Sequence, residues 1–138
     1  MTSNSAEWST PQELFDRLDA IYHFTLDPCA TKENAKCARY FTKREDGLSK
    51  SWAGEIVFCN PPYGREISKW IQKAYDESLN GATVVCLIPA RTDTAYWHDI
   101  IFPYADKIEY LRGRLYFSNV GPAPFPSAIV IFKDADRG

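Results

Sequence analysis

Histidine is nearly missing from this chain: His23 and His98 are the two it has in 138 residues. They stand apart, and His98 beside Trp97 reads as a packing residue rather than a base. No Ser/His/Asp or metal constellation can be assembled. The four cysteines, Cys29, Cys37, Cys59 and Cys86, contain no Cys-x-x-Cys pair. The usual zinc and redox spacings are therefore absent. Cys59 and Cys86 lie inside apolar runs and read as small core residues. No apolar run approaches the ~18 residues of a membrane span, and no signal peptide is visible. These absences point to a reduced, cytoplasmic protein with no disulfide and no membrane partner. An excess of positive charge is lacking too. A net charge of -2 and a pI of about 5.7 exclude affinity based on overall positive charge, though not a local basic face.

What is present fits one domain spanning residues 1–138, with loose tails at 1–7 and 134–138. Thr10, Pro11 and Glu13 read as the N-cap, first position and capping box of a helix. Leu14, Phe15, Leu18, Ile21 and Tyr22 mark its apolar face. Short strands are expected at 24–27 and 39–42, with a short helix at 31–39 between them. A buried strand at 55–59 leads into an amphipathic helix from Glu66 to Leu79, closed by Asn80-Gly81. Ala82 to Ile88 is an almost wholly apolar strand, as in a sheet covered on both faces. A helix is expected at 93–102, then strands at 107–111, 114–117 and 127–132. Alternating strands and helices predict an α/β fold with a mostly parallel sheet and helices on both faces. The final strands lack intervening helices, so an antiparallel strand should close the sheet. Asp27 and Asn60 fall at strand ends on one rim, where ligands bind in such sheets.

One stretch raises a chemical question: Phe58-Cys59-Asn60-Pro61-Pro62-Tyr63-Gly64-Arg65. Two prolines remove two donors and fix two φ angles, and each restricts the residue before it. The chain leaves the strand as a stiff elbow carrying an amide and an aromatic ring. An exocyclic aromatic amine is a poor nucleophile because its lone pair is conjugated. Two acceptors on its N–H bonds, the Asn60 side-chain carbonyl and the Pro61 backbone carbonyl, would favour a more pyramidal nitrogen. Tyr63 could stack on the base. The product nitrogen loses its proton afterwards, so no strong base is needed, and positioning carries most of the rate. A rigid strand-end turn with Tyr63 as packing is the bland alternative.

Asn60-Pro61-Pro62-Tyr63 matches the (Asp/Asn/Ser)-Pro-Pro-(Tyr/Phe) motif of amino-group methyltransferases. Trp8-Ser9-Thr10-Pro11, Leu26-Asp27-Pro28-Cys29-Ala30, Asn34-Ala35-Lys36-Cys37, Asp46-Gly47-Leu48, the run from Leu87 to Thr94 and Gly113-Arg114-Leu115 follow in a matching order. From about residue 7 to 132 the chain resembles the phage-type DNA N6-adenine methyltransferases, the Dam-like family. The resemblance implies a Rossmann-like class I methyltransferase fold, S-adenosylmethionine as cofactor, and double-stranded DNA as substrate in the cytoplasm of a bacterial host. It suggests protection of phage DNA in a restriction-modification setting. A base in a duplex must be flipped out to react.

The resemblance also assigns roles. Asn60, Pro61, Pro62 and Tyr63 become the catalytic elbow. Asp27 suits the cofactor's ammonium, with Cys29 and Ala30 small enough for close approach; otherwise Asp27 is a helix N-cap. This turn lacks the Gly-x-Gly of most such enzymes. Asp46 would accept from the cofactor's adenine amine and Leu48 cover its ring, or the segment is a plain Asp-Gly turn. Thr10 and Pro11 would meet the cofactor carboxylate through helix N-terminal amides, with Trp8 as a shield; a simple capped helix is compatible. Asn34 either touches the ribose or is a solvated helix residue. Arg65, Arg91 and Arg114 are candidate DNA contacts, although each alone is as readily a surface charge. Most aromatics read as core, with Tyr116, Phe117 and Phe125 beside the path of a flipped base. The span between Asp27 and Asn60 is short, so one strand is expected to be trimmed from the sheet. No segment is long enough for a recognition domain. Weak or short sequence preference, or recognition by loops 89–98 and 117–126 in a homodimer, is expected. Methylation of RNA adenine or of a protein glutamine amide, or an inactive binding module, are the alternatives.

Overall fold

Two largely apolar runs make the middle of the structure. In the computed structural model, which describes residues 8–117 and 120–134, they are β2 (Thr83–Pro89) and β6 (Ser127–Phe132). The tail expected at 1–7, residues 135–138 of the tail expected at 134–138, and positions 118–119 of the 117–126 loop lie outside the described residues. β1 (Ile56–Cys59) pairs parallel with β2, setting Val57 opposite Val84. β6 pairs antiparallel with β2 on one side and with β3 (Lys107–Tyr110) on the other. The order is β1-β2-β6-β3. Beyond β1, Leu26 bridges Val57 and Asp27 bridges Tyr40, both parallel.

The sheet is therefore mixed, and the mostly parallel sheet expected is met only in part: β1, β2 and β3 run the same way and β6 runs against them. The antiparallel strand does not close an edge but is inserted between β2 and β3. The strands expected at 24–27 and 39–42 shrink to single bridges. The helix expected at 31–39 is not formed, because side chains capture its backbone groups. Thr31 N–H donates to Asn34 Oδ1 (2.7 Å), Asn34 N–H to Thr31 Oγ1 (3.1 Å), and Lys36 N–H to the Asp27 carboxylate (3.0 Å). The segment is a chain of turns instead.

Helices cover both faces. α1 (Gln12–Tyr22) buries Phe15, whose ring meets Phe58 at 5.2 Å. α2 (Ile67–Leu79) places Tyr75 against Phe132 at 6.1 Å. Phe132 is in register with Val84, and Val84 with Val57, the neighbour of Phe58. Successive strand residues point to opposite faces, so α1 and α2 lie on opposite sides. α2 ends as read: Gly81 has φ 96°, and Ala82 N–H returns to Glu77 O at 3.0 Å. α1 starts later than read, at Gln12, with no side-chain cap. The Thr10 hydroxyl has another partner, described below.

The helix expected at 93–102 is a wide π turn (Trp97–Ile101) running into a short helix α3 (Phe102–Tyr104). Phe102 N–H bonds Trp97 O, and Pro103 has no N–H with which to continue an α ladder. The strand expected at 114–117 contracts to β4 (Tyr116–Phe117), paired with β5 (Gly121–Pro122) as a separate ribbon.

Trp52 anchors the loop that enters β1. It is fully buried, stacks on Trp70 of α2 (6.2 Å), takes Lys73 over its ring and donates Nε1–H to Gly47 O at 3.0 Å. Its backbone N–H bonds the buried Glu77 carboxylate, which Lys73 also pairs at 3.3 Å. Trp52→Phe keeps a ring but loses the indole hydrogen bond and leaves a void. It should lower unfolding stability by about 2 kcal/mol in urea titrations.

Candidate active site

The carboxyl ends of the 26–27 bridge and β1 open into a cleft of about 450 Å³, a size typical of small-molecule sites (~300–1,000 Å³). Phe58, Leu48, Ala30 and Trp70 give it apolar walls, while Asp27, Asp46 and Asn60 supply polar points. Two turns form opposite sides, 27–30 and 46–48. Gly47 joins them. A Cβ built there would lie 2.2 Å from the Pro28 carbonyl oxygen and 3.1 Å from the Trp70 ring. The glycine is required for contact between walls, not for a positive φ. Asp46 does take the left-handed conformation (φ 61°), and its side chain accepts from Leu48 N–H at 3.3 Å. It is exposed at the rim.

Asp27 is 4% exposed. Burial pushes its carboxyl above the usual range, opposed by the Lys36 and Cys29 backbone N–H groups and the Lys36 charge. Among the described residues no ion pair to Asp27 is formed, and a buried carboxylate of that kind is a candidate site for a ligand cation. Near it, burial and then the Asp27 and Asp19 charges push the Cys37 thiol up to about 12, so it stays protonated and unreactive.

Asn60 is tied on all sides. Its Nδ2 donates to the Trp8 carbonyl and to Thr10 Oγ1 (2.9 Å). The Tyr63 phenol lies 2.9 Å from Asn60 Oδ1 and 3.1 Å from Leu87 O. Tyr63 is buried, and burial holds its phenol well above its ordinary range, so it remains a donor. Its ring is not free to stack on a base: Trp8 stacks on it (6.2 Å, 20°) and Phe125 meets it edge-on (5.6 Å). Trp8 also meets Phe117 and Phe125 edge-on, at 5.2 and 5.1 Å. Four aromatics thus form a box beside Asn60.

Of the residues read from sequence, Trp8, Thr10, Asp27, Cys29, Ala30, Asp46, Leu48, Asn60, Pro61 and Pro62 all line this one cleft, as does Asn34. Asn34 has its carbonyl engaged by Thr31. Pro11 and Tyr63 do not line it. Neither do Arg65, Arg91 and Arg114, which are exposed and follow the carboxyl ends of β1, β2 and β3. Those strands run the same way, so the three arginines belong to the cleft's edge of the sheet. Arg91 lies 5.5 Å over Phe125 of the aromatic box. Sequence reading missed Gly47, Trp70 and Phe58 as walls, and Lys32, Lys36, Lys43 and Arg44 along the cleft. Among the described residues no group of three or more His, Cys, Asp or Glu is placed to hold a metal, and no helix is long and apolar enough to cross a membrane.

A strand-end Asn-Pro-Pro-Tyr elbow beside a cleft with a buried carboxylate is the arrangement expected of an amino-group methyltransferase, and comparison with known proteins agrees. Residues 1–128 match the family described as DNA N-6-adenine-methyltransferase (Dam), and the chain belongs to that family. It is similar to the DNA N-6-adenine-methyltransferase of Haemophilus phage HP1, with 29% identity over 115 residues, covering 81% of this chain and 66% of that protein. It is similar also to the protein of the same name from Escherichia phage T1, with 30% identity over 118 residues, covering 79% of this chain and 49% of that one. The matched region spans between half and two-thirds of these relatives.

Two outcomes follow from this geometry. Gly47→Ala must separate the 27–30 and 46–48 turns. It should cost about 1–3 kcal/mol in thermal or urea unfolding. Asp27 holds its proton more tightly folded than unfolded. Its contribution is therefore complete at acid pH and is lost as pH rises from about 4 through the raised value. The stability of the wild type relative to Asp27→Asn, followed by urea titration at a series of pH values, should decline over that window and be flat below it.

Proposed function

We propose that this chain transfers a methyl group from S-adenosylmethionine to the exocyclic N6 amine of adenine in double-stranded DNA. The observation that carries the reading is the convergence of Asn60, Asp27 and Asp46 on one cleft of cofactor size. The residues present suit that cofactor. Asp27, buried and without an ion pair among the described residues, would take its ammonium. The amides at the start of α1 would take its carboxylate, and Leu48, Phe58 and Trp70 would face its apolar parts. Asp46 would accept from its adenine amine. Bound there, the cofactor supplies an electrophilic methyl group on a sulfonium centre.

The chain's own residues position the amine. Asn60 Oδ1 and the Pro61 carbonyl accept its two N–H bonds, and the two prolines hold both acceptors still. Tyr63 acts through its phenol on Asn60 rather than as the first stacking surface, since Trp8 covers its ring. An adenine leaving the duplex meets the Trp8 box, where stacking worth ~1–3 kcal/mol offsets part of the unstacking. Arg65, Arg91 and Arg114 would hold the phosphates around it, a local basic edge that an acidic net charge does not prevent. The same acceptors would serve an RNA adenine or a glutamine amide. Family membership favours DNA.

DNA from a methylation-free host expressing the protein should contain N6-methyladenine by nucleoside mass analysis. Asn60→Ala should lower it by at least ~100-fold, as expected for loss of a preorganised acceptor. Cofactor binding with no methyladenine in either sample would overturn the DNA reading.

A further inference from the structure

A primary amide offers two N–H donors and two lone pairs on its oxygen. In Asn60 both donors are taken, one by the Trp8 carbonyl and one by the Thr10 hydroxyl. The Tyr63 phenol stands at one lone pair. A single lone pair on Oδ1 is left for anything entering from the cleft. The orientation is not free to reverse. A backbone carbonyl can only accept, so turning the amide over would set Oδ1 against the Trp8 carbonyl oxygen and strand two acceptors together. Thr10 is 5% exposed, so water does not readily replace it. The N-cap position of α1 falls on Pro11, which has no side-chain acceptor, so Thr10 is not drawn into capping that helix.

We propose that the Trp8 carbonyl and the Thr10 hydroxyl lock the Asn60 amide as a pure acceptor, which makes Thr10 a positioning residue for transfer to an amine. Thr10's part differs from that of Trp8. The carbonyl selects which end of the amide faces the cleft, and the hydroxyl occupies the remaining hydrogen. With both occupied, Asn60 has no donor to offer a carbonyl. Adenine and cytosine present an amine at the corresponding edge, whereas guanine and thymine present O6 and O4. The lock therefore admits the first pair and rejects the second before any chemistry. It is separate from cofactor binding, in which Thr10 would take part only through its backbone amide. The inference rests on Asn60 being the acceptor of the proposed reaction.

The test pairs Thr10→Val, which keeps the shape without the hydroxyl, with Thr10→Ser, which keeps the hydroxyl. At saturating duplex DNA and cofactor, Thr10→Val should slow single-turnover methyl transfer roughly tenfold, the rate equivalent of one hydrogen bond. Its cofactor Kd should stay within about twofold, since backbone contacts are unchanged. Thr10→Ser should restore most of the rate. In ¹⁵N spectra, one Asn60 side-chain hydrogen should shift and exchange faster in Thr10→Val and recover in Thr10→Ser. A full rate in Thr10→Val would overturn the proposal. So would a loss confined to cofactor Kd, or a Thr10→Ser variant as slow as Thr10→Val. If the wild type methylates no DNA, the functional reading falls on its own. The Asn60 spectra then decide the lock, and no change on Thr10→Val removes it.

Discussion

The bare backbone of Gly47 lies against the carbonyl of Pro28, and the shape of the cleft depends on that contact. It brings the turn carrying Asp27 to within touching distance of the turn carrying Asp46 and Leu48. Both would otherwise be loops with little regular structure to hold them. The contact is itself enforced from behind, because the Trp52 indole grips the Gly47 carbonyl and Trp70 fills the space beneath. An ionic pair of Lys73 and Glu77 on α2 fixes Trp52 in turn. A chain of packing thus runs from the largely buried Lys73–Glu77 pair of α2 to the floor of a binding site. Tight packing transmits position in this way because interiors have little slack.

A second chain of contacts runs through Asn60. Its amide is shared among the N-terminal segment, the tyrosine of its own elbow and, through that tyrosine, β2. The proposed acceptor is therefore held by three elements distant in sequence. The rigidity that two prolines give the backbone is matched by rigidity in the side chain. Preorganisation of this kind suits a reaction in which positioning, rather than a proton-transfer group, lowers the barrier.

The sequence was most legible where the pattern was long. α2 and β2 appear close to their expected bounds because each carries an unbroken periodicity. The cleft was legible as a set of residues, since ten of the candidates converge on it. Legibility failed where side chains competed with the backbone. The helix read at 31–39 gave way to the Thr31–Asn34 pair and to Asp27, and Thr10, read as a cap, bonds Asn60 instead. Such exchanges depend on partners far along the chain, which periodicity cannot see. An antiparallel strand was expected, but its place inside the sheet escaped notice for a related reason. Strand direction is set by where β6 is inserted, and nothing in the run Ser127–Phe132 records its neighbours. Tyr63 was read as a stacking surface for a base, but its ring is covered by Trp8.

The place of β6 has a consequence for how the chain reaches its structure. β2 and β3 are separated in the finished sheet by a strand that lies after both of them in the sequence. Until residues 127–132 arrive, β2 has one open edge and β3 has no partner among the described strands. A nascent chain leaving the ribosome therefore carries a strongly apolar, half-paired strand for the time needed to make some forty further residues, a few seconds at ~5–20 residues per second. Assembly is then a single late event of high contact order, in which one strand completes two interfaces together. The cleft lies at the end of β1, which can pair with β2 before that event. The aromatic box beside Asn60 cannot form so early, because Phe117 and Phe125 come from the last part of the chain.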